Sequence, residues 1–243
     1  MRGNPGARRD PLDHDDIDGP AMMERIPEPE LMDEPAQAFA YASADFSEPH
    51  DAFVACFRRR FPDFSGGVVL DLGCGPADVT IRFARAYAAT RMVGVDGAEA
   101  MLALGRQAVA GAGLEARIRL TQARLPAAKL AESRYDAVIS NSLLHHLGDP
   151  RVLWEAVLAS AAPGSAVFVM DLMRPPSRDA AMQLLALHAA DAPEVLRRDF
   201  FNSLLAAYRP EEVRRQLNAS GLSHMEVEIA TDRHLIAYGR ITP

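Results

Sequence analysis

One stretch of this 243-residue chain, VVLDLGCGPADVT over residues 68–80, limits the folds open to it more than any other. Val68, Val69, Leu70 and Leu72 make a short apolar run of the kind a strand buried on both faces requires. The run ends in Gly73-Cys74-Gly75, where glycines permit a tight turn and a close approach of backbone to a ligand. Val79, Phe83 and Tyr87 then recur at every fourth position, which is one face of a helix. A second strand-like run, RMVGVD, ends in Asp96, an acid placed to accept hydrogen bonds from both hydroxyls of a ribose. It lies 23 residues beyond Gly73, near the spacing of about 20 found in adenosine-binding units.

The same alternation continues downstream: GAEAMLALGRQAVA reads as helix, ARIRLTQ and YDAVIS as strands, RVLWEAVLAS as helix and SAVFVMDL as strand. Strands alternating with helices imply a parallel sheet covered on both faces. The segment 172–209 is helical in pattern and has no place in a minimal alternation, so it is expected to form a lid. Pro210, Glu211, Glu212 and Gly221 then bound a further helix, and SHMEVEIA and HLIAYG close the chain as strands. Residues 1–20 have few apolar side chains and are expected to be a disordered acidic tail. Residues 21–64, with Phe39, Phe46, Phe53 and Phe57 near helical spacing, are expected to form a helical cap before the main domain, 65–243.

Composition narrows the function classes. Residues 1–34 carry ten acids and four arginines of a chain whose net charge is −7, which leaves the body nearly neutral. A basic field able to displace phosphate counterions is missing, so nucleic acid is not the expected partner. Two cysteines, Cys56 and Cys74, are too few for a disulfide framework or a four-ligand zinc site, and no metal is expected. The chain has no run of the roughly 20 apolar residues needed to span a membrane and no apolar core behind its first basic residues. No membrane association and a cytoplasmic location are therefore expected.

A dinucleotide site wants a third glycine three residues after the second, but Asp78 stands there, and a ligand without a pyrophosphate does not need that glycine. With LDLGCGPAD, VGVDGAEAML, YDAVISNSLLHHLGDP and LASAAPGSAVFVMDL in view, residues 66–172 resemble the class I S-adenosylmethionine-dependent methyltransferases, small-molecule type. The resemblance implies a Rossmann-like α/β fold, a doubly wound sheet of about seven strands with the last antiparallel, helices on both faces, N-terminal helices and a helical lid insertion. Its cofactor would be S-adenosyl-L-methionine. Carried over by position, Asp71 would hold the glycine loop and orient the methionine end, and Gly73, Cys74 and Gly75 would lie against the cofactor. Asp96 would bind the ribose, with Gly97 and Met101 beside the adenine, and Asn141 would face the methionine moiety. Two departures stand out: Ala77 replaces a customary loop glycine, and the third strand ends without an acid, so Gln122, Ala123 or Arg124 would hold the adenine. Helix packing accounts for Met101 as well as adenine contact does.

The acceptor side is written less sharply. His145 and His146 follow the fourth strand, where the cleft should open, and His146 matches by position the general base of phosphoethanolamine-type methyltransferases, although Ser142 replaces their Asp. Capping of the turn before Gly148-Asp149-Pro150 is the alternative role for His146. Asp171 and Arg174 form a second polar pair at the end of the fifth strand; Arg174 either clamps an anionic acceptor or pairs with a neighbouring acid. Within Arg198-Asp199-Phe200-Phe201-Asn202-Ser203, the residues either line the pocket or pack the lid on the sheet, and the resemblance brings Tyr41 over the cofactor, within reach of the base. The reading is methyl transfer to an O, N or S nucleophile of a small molecule, by a chain for which a homodimer is an open option. The alternatives are a non-catalytic S-adenosylmethionine-binding module and an enzyme that modifies S-adenosylmethionine itself.

Overall fold

In the computed structural model, residues 23–28, 33–126 and 134–242 are described, so the expected acidic tail lies outside the described residues. Strand β1 (Gly67–Leu72) alternates its side chains between two cores: Val69 packs with Phe53, Phe57, Phe83 and Ile139 on one face, while Leu70 and Leu72 pack with Leu153, Trp154 and Val157 on the other. That alternation is why a continuous apolar run was needed there. Only Val68, at the outer end of the strand, is exposed.

Seven strands form one sheet in the order β3-β2-β1-β4-β5-β7-β6. The others are β2 (Thr90–Asp96), β3 (Ile118–Gln122), β4 (Tyr135–Asn141), β5 (Ala161–Leu172), β6 (Glu226–Ile229) and β7 (His234–Arg240). β1 to β5 run parallel and β7 runs antiparallel to both neighbours, the reversed last strand the resemblance implied. Pairing of Asp71 with Gly94 and of Leu72 with Ser140 brings the carboxyl ends of β1, β2 and β4 to one edge. Ligands of open α/β sheets bind at such an edge, where the strand order reverses about β1.

Helices α3 (Asp78–Ala86), α4 (Glu99–Gly111) and α5 (Arg151–Ser160) are the crossovers. Before the sheet, α1 (Pro35–Ser43) lies on α4, and α2 (Ser47–Arg60) inserts Phe53 and Phe57 beneath the sheet. Residues 23–28, expected as part of a helical cap, are instead extended: Pro27 and Pro29 bracket Glu28 in the sequence, and proline disfavours helix both at its own position and at the one before it. This strap crosses the insertion, with Met23 N donating to Pro176 O and Ile26 N to Leu205 O. The insertion itself consists of α6 (Arg178–His188), capped by the Ser177 hydroxyl, and α7 (Glu194–Ala206); α8 (Pro210–Ala219) follows it.

Candidate active site

Backbone hydrogen bonds fold the turn after β1 back on β2: Gly73 N and Cys74 N both donate to Val95 O, at 2.8 and 3.0 Å. Gly73 has φ +73°, and a Cβ there would meet the Leu143 side chain at 2.9 Å, so only glycine fits. Gly75, at φ +51°, faces open space, which leaves its backbone accessible from the cavity. Ala77 takes φ +66° without glycine's freedom, a strain of roughly 1 kcal/mol, and packs fully buried beneath α4 near Gly105. The substitution noted in the sequence therefore keeps the backbone shape.

Asp96 clasps this turn. One carboxylate oxygen accepts from Gly75 N at 2.9 Å and the other from Ala98 N at 2.8 Å, leaving further lone pairs on the cavity side. Burial raises its pKa, opposed by these backbone donors. Asp71 is buried deeper and accepts a 2.5 Å hydrogen bond from Thr80; burial pushes its pKa up to about 7 despite that bond. Asp78, at the start of α3, accepts from His50 and Arg82; burial would raise it, but these two partners outweigh burial and lower its pKa. Burial pushes the Cys74 thiol up, so it stays protonated.

A cavity of about 810 Å³ opens above these groups. It brings together Tyr41, Asp71, Gly73, Cys74, Gly75, Asp96, Gly97, Met101, Ala123, Arg124, Asn141, His145 and His146 of the residues singled out in the sequence. Met101 and Tyr41 serve packing as well, around Ala38 and Ala98, and burial pushes the Tyr41 phenol up to about 12. Three of the expectations need correction. Gln122 does not line the cavity: its amide donates to Gly97 O at 3.2 Å, and Ala123 instead reaches the cavity, tied by its N–H to Asp96 O. Arg174 is not at the cleft edge. Its guanidinium is buried and spent on Met23 O, Ala207 O and Glu212, at 3.1, 2.7 and 2.6 Å, so the ion-pair alternative is the one realised. Asp171 pairs with His145, not with Arg174, and lies behind the cavity wall.

At the opposite end of the cavity, β4 ends in Asn141 and Ser142; Ser142 has φ +55°, an unusual backbone for serine of the kind that gathers at functional sites. The chain then makes a 3-10 turn, Leu144–His146. Asp171 anchors that turn through Leu144 N at 2.7 Å and His145 Nδ1 at 2.5 Å. The two imidazoles lie 4.2 Å apart, centre to centre. Glu28 of the strap approaches both, its Oε1 being 3.5 Å from His145 Nε2 and 3.3 Å from His146 Nδ1, and it accepts from Ser203 of α7 at 2.9 Å. Burial alone would push His145 down, but Asp171 and then Glu28 outweigh it and its pKa is raised. Burial raises Glu28, with His145 and Ser203 offsetting part of that. Asp199, Phe200 and Ser203 of the aromatic-polar segment reach the cavity, whereas Phe201 turns away under Arg178.

Glu28 is the functional side chain that sequence reasoning missed. Its signal was the Pro27-Glu28-Pro29 triplet, an acid locked in extended chain, read instead as part of a helical region. Arg25 fixes the strap by donating to Ala206 O, His145 O and Leu147 O at 2.6, 2.8 and 3.2 Å and by lying 4.2 Å over the Tyr208 ring.

Known proteins agree with this architecture. Residues 69–164 match the family model of a methyltransferase domain. The chain is 32% identical over 135 residues to trans-aconitate 2-methyltransferase of Delftia acidovorans, covering 56% of this chain and 48% of that one. It thus spans about half the length of the curated relatives it matches in this way. Among solved structures it is similar in fold to a SAM-dependent methyltransferase from Aquifex aeolicus, with 16% identity, a TM-score of 0.63 and coverage of 86% and 99% of the two chains. The plantazolicin methyltransferase BpumL, solved with SAH and a triazolic desmethylPZN analog, gives 12% identity, a TM-score of 0.63 and coverage of 86% and 90%. Over residues 69–164 the chain is thus similar to methyltransferase domains, and its fold is that of SAM-dependent methyltransferases of known structure.

Proposed function

We propose that this chain binds S-adenosylmethionine in the half of the cavity between Gly75, Asp96 and Ala123 and transfers its methyl group to a small-molecule O, N or S nucleophile held beside the histidine pair. The observation that carries the reading is the Asp96 carboxylate, clasped by Gly75 N and Ala98 N at the end of β2 with lone pairs left for ribose hydroxyls. The exposed backbone of Gly75 fits the same ligand. Asp78 argues against a dinucleotide, because its carboxylate lines the cavity at the helix start where a pyrophosphate would rest.

When bound, the cofactor supplies an electrophilic methyl group to a nucleophile in line with it. The chain's part is mostly positional: α7 walls the acceptor, the strap backs the histidine pair through Glu28, and Asn141 and Ser142 line the cavity between the two ligands. His146, less buried than His145, takes the proton of an acceptor that must lose one, while Asp171 and His145 fix the turn that carries it. The Delftia relative is named for trans-aconitate, and a cavity of about 810 Å³ is in the range that takes small molecules.

Calorimetric titration with S-adenosylmethionine, S-adenosylhomocysteine and NAD in parallel tests this. The expected result is micromolar binding of the first two and none of NAD. Binding of NAD alone overturns the reading.

A further inference from the structure

The contact between Glu28 and the two histidines has a chemical requirement that methyl transfer does not explain. His145 gives its Nδ1–H to Asp171, which leaves Nε2 facing a carboxylate oxygen 3.5 Å away. His146 Nδ1 faces the same oxygen at 3.3 Å. Donor atoms of this kind repel unless positive charge lies among them, supplied either by protons on the imidazoles or by one ion.

We propose that Glu28, His145 and His146 form a binding site for a divalent transition-metal ion, with zinc the best match. The three donor atoms all lie within 4.8 Å of one another. An ion about 2.05 Å from each donor in tetrahedral geometry needs neighbouring donors roughly 3.3 Å apart, close to the two separations found. Two imidazole nitrogens and one carboxylate are a zinc or iron donor set and a poor one for magnesium or calcium, which prefer oxygen. The outer partners are those of a metal site: a ligand histidine donating its other N–H to a carboxylate, here His145 to Asp171, and a ligand carboxylate held by a hydroxyl, here Glu28 by Ser203. Asp171 is in turn fixed by Leu144 N, so the imidazole is oriented before any ion arrives.

Both histidines line the cavity, so the fourth position of a three-ligand ion faces a molecule held there. This identifies the acceptor class as an oxygen ligand, either a carboxylate that arrives ionised or a hydroxyl whose coordinated oxygen loses its proton near neutral pH, and that step rests on the methyl-transfer reading. With the ion in place, the histidines act as ligands and the proton goes to solvent.

The test is titration of the untagged full chain, stripped with chelator, with zinc chloride and separately with magnesium chloride, followed by calorimetry. One equivalent of zinc and no magnesium is expected. Glu28→Gln and His146→Ala should each weaken zinc at least tenfold, and Asp171→Asn, which leaves all three ligands in place, by about 10- to 100-fold. Cobalt(II) should give the visible bands of a four-coordinate site in the parent and lose them in His146→Ala. No stoichiometric zinc, or zinc binding indifferent to Glu28→Gln and His146→Ala in variants with parental circular dichroism, overturns the site. The titration uses neither cofactor nor acceptor. Zinc binding without S-adenosylmethionine binding supports the ion site and overturns only the methyltransferase reading; the reverse result overturns only the ion site.

Discussion

The two ends of the cavity are built in different ways. At the cofactor end, Asp71, Gly73, Gly75, Asp96 and Met101 come from about thirty consecutive residues and are fixed by strand register and backbone hydrogen bonds. At the acceptor end, Glu28, His145, Asp171 and Ser203 come from four distant segments and are fixed by side chains reaching across the fold. The first kind of site survives as a contiguous pattern through sequence change; the second can be redesigned by moving one segment. Removing a cofactor-side group should therefore leave the acceptor end intact, and the converse should also hold.

The largest expected effect lies at the cofactor end. The fold keeps the Asp71 carboxyl protonated up to about 7, far above its ordinary value of 3.8, because burial outweighs the Thr80 hydrogen bond. Between these two values the folded chain holds a proton that the unfolded chain has released, so Asp71 makes stability fall as pH rises through that window, by about 4 kcal/mol in all. Asp71→Asn removes the decline. Urea unfolding of both proteins at several pH values between about 4 and 7.5 measures it, and parallel curves for parent and variant would sink the assignment.

That contrast also explains which parts of the molecule are legible in the sequence. β1, the glycine turn and Asp96 are dictated by local rules: an apolar run buried on both faces, φ values only glycine takes freely, an acid at a strand end. The reversal of β7 entered through the family resemblance, since a hydrophobic run does not state its direction. Arg174 was misplaced because a sequence does not say which of several acids an arginine meets; Glu212, 38 residues on, claims it. Gln122 was misplaced because its side chain is taken up by Gly97 O, and Ala123, just past the strand end, reaches the cavity in its place. Glu28 was missed because nothing local ties residue 28 to residues 145 and 146; only the folded strap does.

Arg25→Ala should give the next effect. The loss of three charge-assisted hydrogen bonds and the Tyr208 contact is worth about 3 kcal/mol of stability. More tellingly, it frees the strap that holds Glu28, so zinc affinity and acceptor KM should worsen while the Kd for S-adenosylmethionine stays within about twofold of the parent. Equal damage to both ligands would show that the two ends are one mechanical unit and break the comparison. Asp96→Ala is the mirror experiment: removing the ribose acid should weaken S-adenosylmethionine by about 1.5 to 3 kcal/mol, roughly 10- to 150-fold, and leave zinc titration unchanged. Unaltered cofactor affinity would remove Asp96 from the site.

The smallest expected effect is the most local. The Ser203 hydroxyl donates to Glu28 Oε1 at 2.9 Å from a helix also held by packing of Leu204 and Leu205 against Leu172 and Ala181 and by hydrogen bonds from Arg25, Ile26 and Gln37. Ser203→Ala leaves that packing untouched and removes one hydrogen bond to a carboxylate, worth about 1 to 2 kcal/mol. If the hydroxyl orients the carboxylate toward the histidines, the loss should appear in zinc affinity, about tenfold weaker, with the urea midpoint moving little. Ser203→Thr keeps the hydroxyl and should restore most of the affinity. If instead the hydroxyl only ties the strap to α7, the urea midpoint should fall while zinc affinity holds. Helix α7 would then be a wall of the acceptor end without taking part in its chemistry.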